Sequence, residues 1–258
     1  MVNDYCQPGS ATVVNKWRDA LLDGLFPAHC LLCGLHSDRL PLCEACRLEL
    51  PLNTDSCDRC ALPLPLQRAR STASDPRLCG NCLSVPPWFD SCIAPYQYDE
   101  QFAVLIQRWK YRPEPRLAHL MATLWLQAAP PILPPVDLLV PVPLHWRKVL
   151  SRGFNQAQQL CQLLRRSHPQ LCAVPMDPRR CRRQRPTGVQ AGLDARARRR
   201  NVAGAFTTRG GCANLRVAIV DDVVTTGATA NALAQCLARA GARTVSLWCM
   251  ARTPAPPD

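Results

Sequence analysis

Two carboxylates, Asp221 and Asp222, end the apolar run 217–220, and Thr225, Thr226, Gly227, Ala228 and Thr229 follow almost at once. A carboxylate pair at a strand end can accept hydrogen bonds from vicinal sugar hydroxyls. Gly227 lets the backbone approach a ligand closely. Loop amides, threonine hydroxyls and the positive end of a following helix suit a phosphate group. The stretch reads as a sugar-phosphate site. It lacks the Gly-Lys-Ser/Thr of a P-loop and the spacing of a GxGxxG fingerprint.

A second constellation lies near the other end of the chain. Eight of the 16 cysteines form four CxxC pairs, Cys30/Cys33, Cys43/Cys46, Cys57/Cys60 and Cys79/Cys82. A CxxC turn aims two sulfurs at one point, and two such turns give the tetrahedral thiolate set that Zn²⁺ takes. Sequential pairing gives one site from Cys30, Cys33, Cys43 and Cys46 and another from Cys57, Cys60, Cys79 and Cys82. Cross-braced pairing, with the first and third pairs sharing an ion, satisfies the same spacing. One or two structural zinc ions are expected, because four thiolates leave no open position for a substrate. A redox CxxC normally stands alone at a strand-to-helix junction.

Charge is the third signal. The net charge is +12, and residues 147–200 carry 14 of the 31 Lys and Arg against only Asp177 and Asp194. The excess is therefore local. A local basic field suits phosphate-rich ligands or nucleic acid. No apolar run reaches the length of a membrane span, so no membrane insertion is expected. The first residues, MVNDYCQPGS, lack the basic and apolar regions of a secretory signal. A cytoplasmic location follows as an expectation, and in that reducing setting clustered cysteines favour metal over disulfides.

These groups need elements to hold them. The periodicity predicts a helix over 11–28, packed on the cysteine module, and a helical stretch over 101–128 broken at Pro113 and Pro115. Lys110, Tyr111, Arg112 and Arg116 at that break read as solvated surface. Strands are expected over 92–98, 137–142, 171–174 and 244–250, with helices over 155–166 and from about 230. The acid pair sits between the buried strand 217–220 and the second of these helices. Ala61 follows Cys60 where a knuckle would ordinarily carry glycine. Trp109, Tyr111 and Trp125 read as packing residues, and His29, His36, His119 and His168 as surface or linker positions. The expected division is a tail over 1–28, a zinc module over 29–90, an α/β domain over 91–253 and a flexible end over 254–258.

Four blocks together resemble the ComF family, in its GntX-like branch. They are the multi-CxxC region, PVPLHWRKVLSRGFNQA (141–157), RxTGxQ with NVAGAF (185–206) and VAIVDDVVTTGAT (217–229). The last alone resembles the 5-phosphoribosyl 1-pyrophosphate (PRPP) signature of type I phosphoribosyltransferases. The resemblance implies a type I phosphoribosyltransferase-like α/β fold, a mostly parallel sheet flanked by helices, with an N-terminal zinc module. It implies that Asp221 and Asp222 hold the ribose hydroxyls of PRPP and that residues 225–229 hold its 5′-phosphate. By the same resemblance His145 and Arg147 lie near the pyrophosphate, Mg²⁺ accompanies it, and Arg152, Arg185 and Arg198 close over the site in a catalytic role. Single-stranded DNA, DNA-uptake machinery and a role in natural transformation are the implied context. Pentosyl transfer from PRPP to a nitrogenous acceptor and a non-catalytic regulatory role are the alternatives.

Overall fold

A computed structural model describes residues 28–37, 40–65, 76–144, 146–184 and 204–255. The cysteine module holds β1 (Ala28–His29), β2 (His36–Ser37), α1 (Glu44–Leu48) and α2 (Gly80–Ser84). The remainder runs β3 (Ser91–Ile93), β4 (Tyr96–Gln97), α3 (Glu100–Tyr111), α4 (Pro115–Ala128), β5 (Leu138–Pro141), α5 (Trp146–Arg152), α6 (Gln156–Ser167), β6 (Cys181–Arg183) and β7 (Phe206–Thr208). It closes with β8 (Arg216–Val220), β9 (Val223–Val224), α7 (Ala228–Arg239), β10 (Thr244–Trp248) and β11 (Ala251–Arg252).

The main sheet has the order β3-β10-β8-β5 and is parallel throughout. A parallel sheet needs helical crossovers and is covered on both faces, which is why β5 and residues 217–220 of β8 read as unbroken apolar runs. The strand periodicity divides them. Val217 and Ile219 of β8 join Leu138, Val140, Val245 and Leu247 against Leu233, Ala234 and Leu237 of α7. Ala218, Val220, Leu139 and Trp248 face the opposite cluster, built from Phe102, Trp109, Leu120, Trp125 and Leu160 of α3, α4 and α6. Trp109 and Trp125 are packing residues, as expected, and each finds a partner for its indole N–H: Gln159 Oε1 at 3.2 Å and the Cys249 carbonyl at 3.0 Å.

The proline break divides two helices. Asp99 caps α3, its Oδ1 accepting from Phe102 N at 2.7 Å. Pro115 opens α4 at the helix start, where its missing N–H costs nothing. Three expected strands differ in the structure, the one over 244–250 ending at Trp248 before β11. Residues 171–174 form turns, with Leu171 N bonded to the His168 carbonyl and Val174 N to the Leu171 carbonyl. Flanking Pro169 and Pro175 leave only Met176 as a single bridge to Leu139. The stretch 92–98 is interrupted at Ala94-Pro95, since Pro95 has no N–H to donate to a ladder. The helix expected over 11–28 lies outside the described residues, apart from Ala28, which opens β1.

The cysteine module is fastened to the sheet edge. Between the two tetrads, Asn53 N bonds to the Pro95 carbonyl and Gln97 N to the Pro51 carbonyl, each at 2.8 Å. Cys30 and Cys46 share a core with Trp125 and Leu50. Ala61 shares the other core with Phe89 and Val224.

Candidate functional site

Three adjacent strands of the main sheet break at one level. After β3, β8 and β10 come Ala94-Pro95, Asp221-Asp222 and Cys249-Met250, and then β4, β9 and β11 pair again in a short parallel sheet of the same order. Main-chain bonds span the gap: Asp221 N reaches the Trp248 carbonyl and Met250 N the Asp222 carbonyl, each at 2.9 Å. The acid pair is thus held rigidly at the carboxyl ends of parallel strands, where open α/β sheets place their ligands. Asp221 Oδ1 accepts from Asp222 N at 2.8 Å, and Asp222 Oδ1 from Val223 N at 2.6 Å. Burial, with the Asp222 charge adding to it, pushes Asp221 up to about 8.

A cleft of about 520 Å³ opens over this break. Asp221, Asp222, Thr225, Thr226, Gly227, Ala228 and Thr229 all line it, so the structure brings this whole expected set together. Arg152 lines it too, its guanidinium 5.2 Å from the ring centre of Tyr111. Gln156 organises the wall, accepting from Arg152 Nη1 at 3.3 Å and donating to the Lys110 carbonyl at 3.1 Å.

Whereas Tyr111, Arg112 and Arg116 are exposed, Lys110 departs from the expected solvated surface at the α3 terminus. Its Nζ lies 2.8 Å from Asp222 Oδ2, and both side chains are less than one-fifth exposed. Burial alone would lower this lysine, but the Asp222 carboxylate overrides it and holds Lys110 above its ordinary range. The helical period of α3 turns Lys110 toward the cleft and Trp109 into the core. Sequence separation hid the partnership. Arg183, at the end of β6, is a second cleft cation not singled out for the site; burial lowers it, with Asp221 opposing.

The phosphate-type loop is shaped by one glycine. Gly227 adopts φ +73° and caps α7, whose start at Ala228 is two residues earlier than expected. An L-residue there would be strained. The first residues of α7, Ala228, Thr229 and Ala230, line the same cleft as the acids, a pairing suited to a group with hydroxyls at one end and phosphate at the other. His145, Arg185 and Arg198 lie outside the described residues, as does the side chain of Arg147.

The eight cysteines form two sets in sequential order, not cross-braced. The four sulfurs of Cys30, Cys33, Cys43 and Cys46 lie within 4.8 Å of one another, as do those of Cys57, Cys60, Cys79 and Cys82. Each set joins a knuckle to a helix start. Gly34 N donates to the Cys30 carbonyl at 2.9 Å and Ala61 N to the Cys57 carbonyl at 2.8 Å, while Cys43 and Cys79 cap α1 and α2. Gly34 has φ +76° and Ala61 φ +53°, so Ala61 occupies the position that favours glycine. Ala61 is 2% exposed in the core with Val224, and that burial offsets the strain. Within the second set, hydrogen bonding from Cys60 holds Cys57 down to about 4. Four thiols this close cannot all ionise without a cation among them, and an all-sulfur set of this size fits Zn²⁺ in a structural role.

Comparison with known proteins agrees with this arrangement. A double zinc ribbon domain matches residues 21–83. The DNA utilization protein YhgH of Salmonella typhi is 36% identical over 240 residues, covering 88% of this chain and 98% of that protein. Competence protein F of Haemophilus influenzae is 30% identical over 237 residues with the same coverage, 88% and 98%. Competence protein ComFC of Bacillus subtilis is 25% identical over 162 residues, 61% of this chain and 62% of that one. Among solved structures, a purine phosphoribosyltransferase from Pyrococcus horikoshii superimposes with a TM-score of 0.31 at 17% identity, over 60% of this chain and 80% of that one, a likeness too loose to build on. Among the described residues no helix is long and apolar enough to cross a membrane. The extent and identity of these matches place the chain in the ComF family, together with competence protein F and the DNA utilization protein YhgH.

Proposed function

We propose that the chain binds PRPP, or a phosphosugar of the same pattern, and serves the handling of incoming single-stranded DNA. The observation that carries the ligand is the convergence of Asp221 and Asp222 with the Gly227 loop and the start of α7 on one cleft. In this reading the carboxylates take the ribose hydroxyls and the loop amides take the 5′-phosphate. Arg152 and Arg183 face the pyrophosphate, a role that the family resemblance extends to His145 and Arg147. Mg²⁺ would travel with the pyrophosphate oxygens and neutralise their charge. In this reading Asp222, paired with Lys110, takes a sugar hydroxyl rather than the metal.

The DNA part rests on two supports, the names carried by the relatives and the basic stretch 147–200. Binding of this kind falls steeply with salt and has little sequence preference. Filter binding of a labelled single strand at two salt concentrations tests it. Retention at low salt that is lost as salt rises supports it, and no retention at either removes it.

Active pentosyl transfer is a second reading, favoured by Arg152 at the cleft wall. Arg152, Arg185 and Arg198 would stabilise the departing pyrophosphate while the anomeric carbon gains positive charge. Release of pyrophosphate from PRPP in the presence of nitrogenous acceptors separates an enzyme from a binding protein of the same fold. A purely regulatory protein would bind PRPP and release none.

A further inference from the structure

Arg252 lies on β11 and is 7% exposed, yet its contacts are backbone carbonyls. Its Nε donates to the Cys60 carbonyl at 3.1 Å. Its Nη1 donates to the carbonyls of Val224 at 3.1 Å and Thr253 at 2.9 Å, and to that of Thr225. Cys60 belongs to the second cysteine tetrad, while Val224 and Thr225 open the loop over the cleft. One guanidinium therefore ties a metal-type knuckle to the loop that would hold phosphate. Among the described residues its hydrogen-bond partners are carbonyls; such a buried cation is costly to desolvate, and its planar fork fixes several acceptors at once.

The knuckle end of this bridge is itself anchored. Asn53 Nδ2 donates to the Ala61 carbonyl at 2.9 Å and to the Ala94 carbonyl at 3.1 Å, fixing the turn after Cys60 to the sheet break. A second tie crosses nearby, where Trp88 N donates to Asn231 Oδ1 of α7 at 2.6 Å. The first tetrad has no such link to the loop among the described residues; its members pack with α4 on the other core.

We propose that Arg252 is a positioning residue that makes the geometry of the 225–229 loop depend on an intact second tetrad, so that zinc there sets how well the cleft takes a phosphorylated ligand. The identity of that ligand rests on the reading above, but the mechanical link does not.

The test is hydrogen exchange of the full-length, zinc-loaded chain without ligand, comparing wild type with Arg252→Gln, Arg252→Lys, Cys82→Ser and Cys33→Ser. Losing a charged donor from this bridge should speed exchange of the 225–229 amides by about tenfold or more in Arg252→Gln. The β8 and β10 amides should keep their protection, and Arg252→Lys should restore part of the loss. Cys82→Ser, which breaks the second tetrad, should speed the same loop amides. Cys33→Ser, in the first, should not. Arg252→Gln combined with Cys82→Ser should be no faster than either alone. Wild-type exchange in Arg252→Gln, or equal acceleration by Cys33→Ser and Cys82→Ser, overturns the proposal. Should Arg252→Gln lose the whole sheet, the two cysteine variants and Arg252→Lys decide the matter alone. PRPP titration of the same samples is read separately: if folded wild type binds none, the ligand reading fails while the exchange result stands.

Discussion

Lys110 Nζ and Asp222 Oδ2 stand 2.8 Å apart at the mouth of the cleft, joining the end of α3 to the break in the central sheet. The pair neutralises one of two adjacent carboxylates. Removing the cation leaves the Asp222 carboxylate unpaired in a poorly solvated place, beside an Asp221 carboxyl that burial keeps protonated at neutral pH. Lys110→Met should destabilise the protein by about 2 kcal/mol. For a chain of this size that lowers the melting temperature by roughly 4–8 °C. Adding Asp222→Asn to Lys110→Met should recover part of the loss, as coupled residues do. Equal melting of Lys110→Met and wild type would show that the pair contributes nothing.

Asp221 gives the protein a pH signature. Its carboxyl is raised from an ordinary 3.8 to about 8 in the folded state. Folding therefore retains a proton that the unfolded chain has lost. The stability tied to this group is full below the unfolded value and declines as pH rises toward and through the folded one. Asp221→Asn keeps an oxygen for the Asp222 amide and cannot ionise. Its urea midpoint should change less with pH between 5 and 9 than that of wild type, and should exceed it near pH 9. Parallel curves for the two proteins would contradict the burial of this carboxyl.

The two tetrads predict two zinc ions per chain, held in sequential sets. Elemental analysis of the purified protein should find both, and Cys82→Ser should retain one. Because bound metal is part of the folding free energy, prolonged chelation should lower the melting temperature well beyond any single substitution in the cleft. A wild-type chain holding a single zinc, or Cys82→Ser losing both, would point to a different ligand set.

Gly227→Ala forces an L-residue into φ +73°, where the added methyl meets Val224 Cγ1 only at an ordinary 3.9 Å. The cost is conformational, about 1–2 kcal/mol. Strain at the start of α7 turns its amides away from the cleft, so phosphate-ligand affinity should fall more than stability does. Denaturation and calorimetry on the same variant separate the two effects, and unchanged affinity would remove the loop from the binding site.

Much of this arrangement can be read along the chain. The apolar runs around 138–142 and 217–220 announce a parallel sheet, the prolines at 113 and 115 divide α3 from α4, and the CxxC spacing announces the tetrads. Each is a local pattern with a local cause. What the chain does not announce is tertiary. Lys110 looks like any exposed lysine at a helix end until the sheet places Asp222 beside it. Arg252 carries no local signal, yet on β11, between β4 and β9, it reaches the Cys60 carbonyl because the cysteine module packs against that short sheet. The break shared by three strands is visible at Pro95 alone, because at Asp221-Asp222 and Cys249-Met250 it follows from pairing rather than residue type. Ala61 departs from the glycine rule because its methyl is buried, and only packing shows that.

The central claim is that Asp221, Asp222 and the 225–229 loop form one binding site. Calorimetric titration of PRPP with Mg²⁺ into the zinc-loaded protein tests it most directly, with Asp222→Ala alongside. Saturable binding to wild type is expected, weakened at least about tenfold, or about 1.4 kcal/mol, by Asp222→Ala. Folded wild type that takes up no PRPP, or equal affinity in the two proteins, would contradict it.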